Sequence, residues 1–515
     1  MNRHRVAGAF LGLLSAAVAL GVAQLVAGLV GGTSSPVIAV GSAAIDLAPP
    51  WLKSFAIDTF GSHDKAALLI GIGAILAVVA VVLGIISLRR PRVGVSGLVI
   101  FGAIGLIASL TRPTATPAYA LPSLAGTVAG LLTFRTLRRA GGFDRTAEEA
   151  PPDRSPRMPG TIDRRAFVFS GVVAGFVAAA SGAAGQYLVR RSAASASREA
   201  VRIPTPSDAA PPPPPAADLG VPGVGPFLTP NDRFYRVDTA LLTPSVDAEG
   251  WQLRIHGMVQ RELTLTFPQL LARPLIERDI TLACVSNEVG GSYIGNARWI
   301  GAPLKDLLED AGVDAGADQL VSRSADGFTA GSPTSVVMDG RDAMLAIAMN
   351  GEPLPLAHGF PVRMVVPGLY GYVSATKWLV DLELTTFDAF DAYWIPRGWA
   401  QQAPIKTESR IDTPRAGGNT QAGTVAVAGV AWAQHRGISR VEVQVDDGGW
   451  VEAELGVEDT TDTWRQWVYR WDATPGPHLL QVRATDGSGS TQTADQAPPA
   501  PDGATGYHTI QVQVG

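Results

Sequence analysis

Thr281-Leu282-Ala283-Cys284-Val285-Ser286-Asn287 carries the only cysteine in 515 residues, and Gly295-Asn296-Ala297-Arg298-Trp299 follows it closely. One sulfur excludes an intrachain disulfide, a cysteine-rich zinc site, an iron–sulfur cluster and a Cys-x-x-Cys-His haem attachment, each of which needs at least two. Three readings of Cys284 remain: a buried apolar side chain, a nucleophile, or the single protein thiolate on a metal whose other ligands come from a cofactor. Around it, from about Phe227 to Asp391, strand-like runs such as 251–255 and 362–366 are mixed with helix signals. The clearest helix, 303–311, has proline near its start and Gly312 just past its end, so the segment reads as α+β.

Beyond Ala403 the helix signals disappear. Residues 425–432, 440–445, 450–455, 464–471, 479–484 and 509–514 read as short strands, with Asp446-Asp447-Gly448-Gly449 as a hairpin turn. That pattern predicts an all-β, Ig-like sandwich.

The front of the chain is different in kind. A mean hydropathy of +0.17 over so long a chain points to membrane, and a net charge of −5 provides no basic field for nucleic acid. Five stretches, 6–30, 66–88, 93–111, 114–134 and 166–189, lack Asp, Glu, Lys and Arg and are long enough to cross a bilayer as helices. Arg3 and Arg5 precede the first; Arg89, Arg90 and Arg92 separate the second from the third. Arg135, Arg138, Arg139, Arg145, Arg154, Arg157, Arg164 and Arg165 precede the fifth, whereas the opposite loops hold only Lys53, Lys65 and Arg112. This asymmetry predicts a multi-pass cell-membrane protein with a cytoplasmic N-terminus and everything after 189 outside. Asp163-Arg164-Arg165-Ala166-Phe167-Val168 reads either as a twin-arginine export signal or as plain positive-inside flanking charge. His4 and His63, the only histidines before the linker, lie at helix ends, so the spans read as an anchor rather than a haem-carrying bundle or a transporter. The Ala/Pro-rich stretch 190–226, with prolines from Pro211 to Pro215, reads as an extended spacer.

Several motifs in the α+β segment agree with one family in order and spacing. Thr229-Pro230-Asn231-Asp232-Arg233-Phe234-Tyr235-Arg236, the Cys284 stretch with Asn296-Ala297-Arg298-Trp299, Met349-Asn350-Gly351-Glu352-Pro353-Leu354, His358-Gly359-Phe360-Pro361-Val362-Arg363, Val366-Pro367-Gly368 and Thr376-Lys377-Trp378 resemble the sulfite oxidase family of molybdopterin enzymes. The tail resembles that family's Ig-like dimerisation domain. The expected organisation is multi-domain: an all-α transmembrane bundle (1–189), the linker (190–226), an α+β molybdopterin domain (227–395) and an all-β Ig-like domain (396–515). The resemblance implies a molybdenum–molybdopterin cofactor with Cys284 as metal ligand. It assigns Tyr235, Arg236, Asp326, His358, Arg363, Ser374 and Lys377 to the cofactor, with Arg236 and Trp399 also facing the substrate. It also implies a homodimer.

Two departures bear on the substrate. Family members that oxidise sulfite continue Cys-Ala-Gly-Asn-Arg-Arg, where this chain has Asn287-Glu288-Val289, and Trp399 stands where they carry a tyrosine facing the metal. Losing a cation and gaining Glu288 weakens the case for a dianion, while Arg236 and Arg397 retain positive charge. The leading expectation is two-electron oxygen-atom transfer on a small substrate. No haem motif occurs in the exported part, so a separate cytochrome or the quinone pool is the expected electron partner. The alternatives are a sulfoxide reductase, such as one acting on methionine sulfoxide, and a non-enzymatic surface protein built on the Ig-like domain.

Overall fold

The computed structural model describes residues 3–49, 64–113, 115–143, 164–190 and 193–515, with 52, 55, 59 and 60. It divides into two compact units, Met1–Ala193 with Ala240–Ser245, and Ala194–Thr239 with Val246–Gly515.

The first unit contains helices α1 (Arg3–Val30), α2 (Pro36–Leu47), α3 (Asp64–Ser87), α4 (Pro91–Leu110), α5 (Ala120–Ala140) and α6 (Arg164–Arg190). Among the described residues, five helices are long and apolar enough to cross a membrane by length and composition; α2, not foreseen in the sequence, is a shorter apolar helix. Small residues let these helices touch backbone to backbone. A Cβ on Gly12 of α1 would sit 1.9 Å from Ala80 O of α3, and one on Gly84 would sit 2.2 Å from Gly8 O. The fourth expected span runs past 134 into its basic flank, because Arg138 turns inward and donates to Ser87 O at 2.5 Å, satisfying a carbonyl at the end of α3. Lys53, His63, Arg145, Arg154, Arg157 and Asp163 lie outside the described residues.

The second unit opens with α7 (Ala193–Ala200) and then an extended segment. The stretch expected as an extended spacer is here a strap bonded along the second unit. Ser207 N donates to Leu275 O, Pro211 O accepts from Arg298 Nη2 at 2.7 Å, and Leu219 N donates to Gln466 Oε1 at 2.7 Å. Prolines donate nothing, yet their carbonyls accept, and that is how the run is held.

Ten strands follow: β1 (Gln252–Gly257), β2 (Leu263–Thr266), β3 (Ile276–Ala283), β4 (Ile294–Pro303), β5 (Gln319–Ser324), β6 (Thr329–Pro333), β7 (Met344–Met349), β8 (Glu352–Pro353), β9 (Arg363–Val365) and β10 (Leu379–Thr385). They form a mixed sheet, β2-β1-β10-β5-β6, and an antiparallel one, β3-β4-β7-β8, with β9 against β7. The short helices are α8 (Phe267–Leu271), α9 (Leu304–Ala311), α10 (Thr334–Val337) and α11 (Gly371–Ser374). Helix α9 matches its expectation. It buries Leu304, Leu307, Leu308 and Ala311 at helical spacing and ends on Gly312 at φ +70°.

The remaining strands are β11 (Glu408–Thr413), β12 (Asn419–Thr420), β13 (Gly423–Trp432), β14 (Ile438–Val445), β15 (Val451–Glu452), β16 (Glu454–Leu455), β17 (Arg465–Ala473), β18 (Gly476–Asp486) and β19 (His508–Val514). They build two sheets, β11-β13-β17-β16 and β12-β19-β18-β14-β15, around a shared core that includes Val427, Trp467 and Val482. The strand expected at 450–455 is split, since β15 pairs with β14 in one sheet and β16 with β17 in the other.

The expected boundary at 395/396 does not separate two compact units. Thr281 on β3 explains why. Its N–H donates to Asp462 O at 2.9 Å, its hydroxyl accepts from Trp464 N at 2.8 Å and donates to Asn296 Oδ1 at 3.0 Å, and its carbonyl accepts from Gln434 Nε2 at 3.0 Å. Thr281→Val keeps the shape and removes the hydroxyl, leaving buried Trp464 N unpaired and Asn296 Oδ1 without its donor. We expect a loss of about 2–4 kcal/mol, read from the urea unfolding midpoint.

Candidate functional site

Cys284 opens the loop that joins β3 to β4, at 8% exposure. Its N–H donates to Tyr293 O at 2.9 Å, and its carbonyl accepts from Asn287 N at 3.0 Å. The Asn287 side chain braces the same loop, with Oδ1 accepting from Tyr293 N at 2.7 Å, while its buried Nδ2 has no partner among the described residues. Ser286 Oγ lies 2.9 Å from the sulfur. Burial pushes the Cys284 thiol up, and the Ser286 hydroxyl and the Lys377 charge oppose it. From the C-terminal strands, Arg410 Nη1 donates to Gly291 O at 2.7 Å. The His508 ring fills the space over Gly290, where a Cβ would meet Cδ2 at 2.2 Å.

The Asn296-Ala297-Arg298-Trp299 motif holds this hairpin rather than touching the sulfur. Arg298, opposite Asp279 in register, pairs with it at 2.8 and 2.6 Å. Trp299 is fully buried, donates to Ile280 O at 3.1 Å, and offers its ring to the Arg363 guanidinium at 4.9 Å.

Arg363 is the unusual group. At 5% exposure it has no carboxylate partner among the described residues; its two hydrogen bonds go to His358 O at 3.2 Å and Ala375 O at 3.3 Å, and its Nε has none. Burial pushes its pKa down to about 10. Lys377, pushed down to about 8 by burial, donates to Asp238 Oδ2 at 2.9 Å and Val237 O at 3.1 Å, and Arg236 shares the same carboxylate at 2.9 Å. His358 is neutral, held to about 4 by burial and by Arg363, and its Nε2–H donates to Asn231 O at 3.1 Å. Tyr235 stacks on Phe234 at 5.2 Å; burial and then Cys284 raise the pKa of its hydroxyl, Arg363 opposes them, and the hydroxyl stays protonated. At Gly371 a Cβ would find its nearest atoms no closer than 3.6 Å, so the backbone there is open to approach.

Six residues expected at the site are thus brought together: Tyr235, Arg236, Cys284, His358, Arg363 and Lys377. For the other expected residues the structure gives only local contacts. Ser374 Oγ is spent on Leu369 O and Tyr370 O within the α11 turn. Asp326 folds its carboxylate back onto Phe328 N in the β5–β6 turn, next to Ala325, whose N–H donates to Trp378 O. Trp399 packs on Tyr372 at 5.9 Å and Trp394 at 6.1 Å. Arg397, expected to lend charge to the pocket, lies 3.7 Å over the Tyr393 ring and donates to Tyr393 O. Sequence reasoning passed over Asp238, although it sits two residues after Arg236, and Ser286, two residues after Cys284. Nothing in the sequence marked Asn287 as the loop's brace.

Residues 240–394 match the oxidoreductase molybdopterin binding domain. Mitochondrial sulfite oxidase of Mus musculus is 30% identical over 323 residues, covering 53% of this chain and 58% of that one. Sulfite oxidase of Gallus gallus is 30% identical over 324 residues, covering 53% of this chain and 69% of that one. The chain belongs to the sulfite oxidase family. It spans a little over half the length of the mammalian members it matches. Among solved structures of similar proteins, the sulfane dehydrogenase SoxCD from Paracoccus pantotrophus aligns with a TM-score of 0.50 at 26% identity, over 56% of this chain and 82% of that one.

The residues fit the family's cofactor. No cluster of three or more His, Cys, Asp or Glu is placed to hold a metal among the described residues, so a metal at Cys284 needs its other ligands from a bound group. A phosphate on that group is the anion that a buried guanidinium without a carboxylate lacks. Arg363→Met should therefore have opposite effects on two readouts. Molybdopterin retained after gel filtration should fall by at least about 10-fold, while the melting temperature of the cofactor-free chain stays level or rises. A pH effect comes from His508, whose Nδ1 accepts from Ile411 N at 2.9 Å and whose pKa burial lowers to about 4. Folded chains then bind fewer protons than unfolded ones between about pH 4 and 6.5, so stability is lost as pH falls through that window. His508→Gln should remove about 2 kcal/mol of that acid sensitivity in urea titrations at pH 6.5 and 4.5.

Proposed function

We propose that this chain is a membrane-anchored molybdenum oxidoreductase that moves an oxygen atom to or from a small substrate on the extracytoplasmic face, with Cys284 as the protein's ligand to the metal. The observation that carries this reading is one buried thiol at the mouth of a braced hairpin and a buried guanidinium with no carboxylate partner among the described residues, with Tyr235 in electrostatic reach of both. When bound, the cofactor supplies the two-electron redox centre and the transferable oxygen. The protein's part is positioning and charge. Arg363 and Lys377 hold the phosphate, neutral His358 and the open backbone at Gly371 border the pterin, and Asn287 fixes the angle of the cysteine loop. Protonated Tyr235 offers a hydroxyl donor, and Arg236, whose side chain is 43% exposed, faces an entering anion from the solvent side.

Reduction of a sulfoxide, such as oxidised methionine, is a second reading favoured by one residue. Glu288 stands on the cysteine loop where sulfite-oxidising relatives resemble one another in carrying arginine, and a carboxylate there opposes a dianion but not a neutral sulfoxide.

The basic flanks and five long apolar helices support membrane insertion with the N-terminus cytoplasmic. Two packed sheets around one core support an Ig-like C-terminal module and, through it, a homodimer. Electrons pass to a separate carrier, a cytochrome or a quinone. Elemental analysis of detergent-purified protein should give about one molybdenum per chain. Cys284→Ser should lower oxygen-atom transfer by on the order of 100-fold or more, assayed with sulfite and with methionine sulfoxide against artificial electron carriers. Protein from a cofactor-making host that carries no molybdenum would sink the enzyme reading.

A further inference from the structure

A cavity of about 190 Å³ lies among α1, α2, α3, α4 and α5, bordered by Pro36, Gly105 and Ser123 in one part and by Leu83, Gly94 and Phe134 in another. Gly94 and Gly105 are both on α4, so the space follows that helix for roughly 16 Å. Small residues alone would say only that helices pack closely. Ser123 says more, because it is 3% exposed and its hydroxyl has no partner among the described residues.

Hydroxyls in apolar helices normally bond to a carbonyl one turn back. Ser15, Ser87, Thr127, Thr133 and Thr136 all do so here. The carbonyl four residues before Ser123 belongs to Tyr119; Ser109 Oγ lies 3.1 Å from it and 3.0 Å from Leu106 O, and Ser123 Oγ makes no bond to it. Ser123 is left with a free donor beside an apolar cavity.

We propose that this cavity binds a lipid-soluble quinone, with a ring carbonyl accepting from Ser123 Oγ–H and the isoprenoid tail lying along α4 toward Phe134. None of the lining residues is charged, so a phospholipid headgroup would lose its water without gaining a counter-charge, whereas a neutral carbonyl head needs one donor. Ser123 sits near the α4–α5 connection, at the end of α4 away from the turn that carries Arg89, Arg90 and Arg92. The inference rests on the membrane topology proposed above, under which that end is extracytoplasmic, and it names the electron carrier that reading requires.

The test uses the full-length chain in detergent with a tritium-labelled prenylated naphthoquinone. Saturable binding is expected, weakened about 5-fold in Ser123→Ala and lost in Leu98→Trp, which fills the cavity; gel filtration checks that both variants remain monodisperse. Equal binding by wild type and both variants would overturn the site. So would displacement of the quinone by an equal concentration of phosphatidylglycerol, which would mark a general acyl-chain groove. Recovery of the chain from cells in the aqueous fraction, without detergent, would instead overturn the topology on which the inference stands.

Discussion

A buried guanidinium without a carboxylate organises the catalytic half of this protein. Interiors tolerate a charge when it is paired, and an unpaired one costs several kcal/mol. Arg363 is kept in place by the Trp299 ring, by two long bonds to carbonyl oxygens and by Gly359, whose φ of +113° leaves no side chain between Arg363 and Lys377. Those contacts fix the position of the cation without neutralising it. Under the function proposed above, an anion on the bound cofactor completes this pairing, and binding and stability are then linked through this one side chain.

The same economy shapes the cysteine hairpin. Its motif residues are mostly structural: Arg298 locks β4 to β3 through Asp279, Asn296 ties Thr281 to Phe227 O at 3.1 Å, and Trp299 supports Arg363 from below. Only Cys284 presents chemistry. A sequence motif shared across a family can thus record the scaffold of a site more than the site itself.

What the sequence made legible follows from what its patterns encode. Apolar runs free of charge mark the long helices, helical spacing of leucines marks α9, and the Asp446-Asp447-Gly448-Gly449 turn marks the hairpin that joins β14 to β15. Long-range pairing has no such local signature. The proline-rich strap reads as a spacer because its acceptors are invisible in composition. Asp238 joins Arg236 to a lysine 139 positions away, a pairing no local pattern announces. Ser374 and Asp326 are assigned by resemblance alone, and the turn bonds their side chains make have no mark in the sequence.

The bond from Trp464 N to Thr281 Oγ1 joins residues 183 positions apart, and the contact of His508 with Gly290 lies later still. Emerging from the ribosome, the cysteine hairpin waits for more than 180 further residues before these supports exist, and such non-local closure is slow. The stretch around Cys284 is therefore made long before the strands that brace it, and until residues 464 and 508 have been added it stands as a hairpin without those supports.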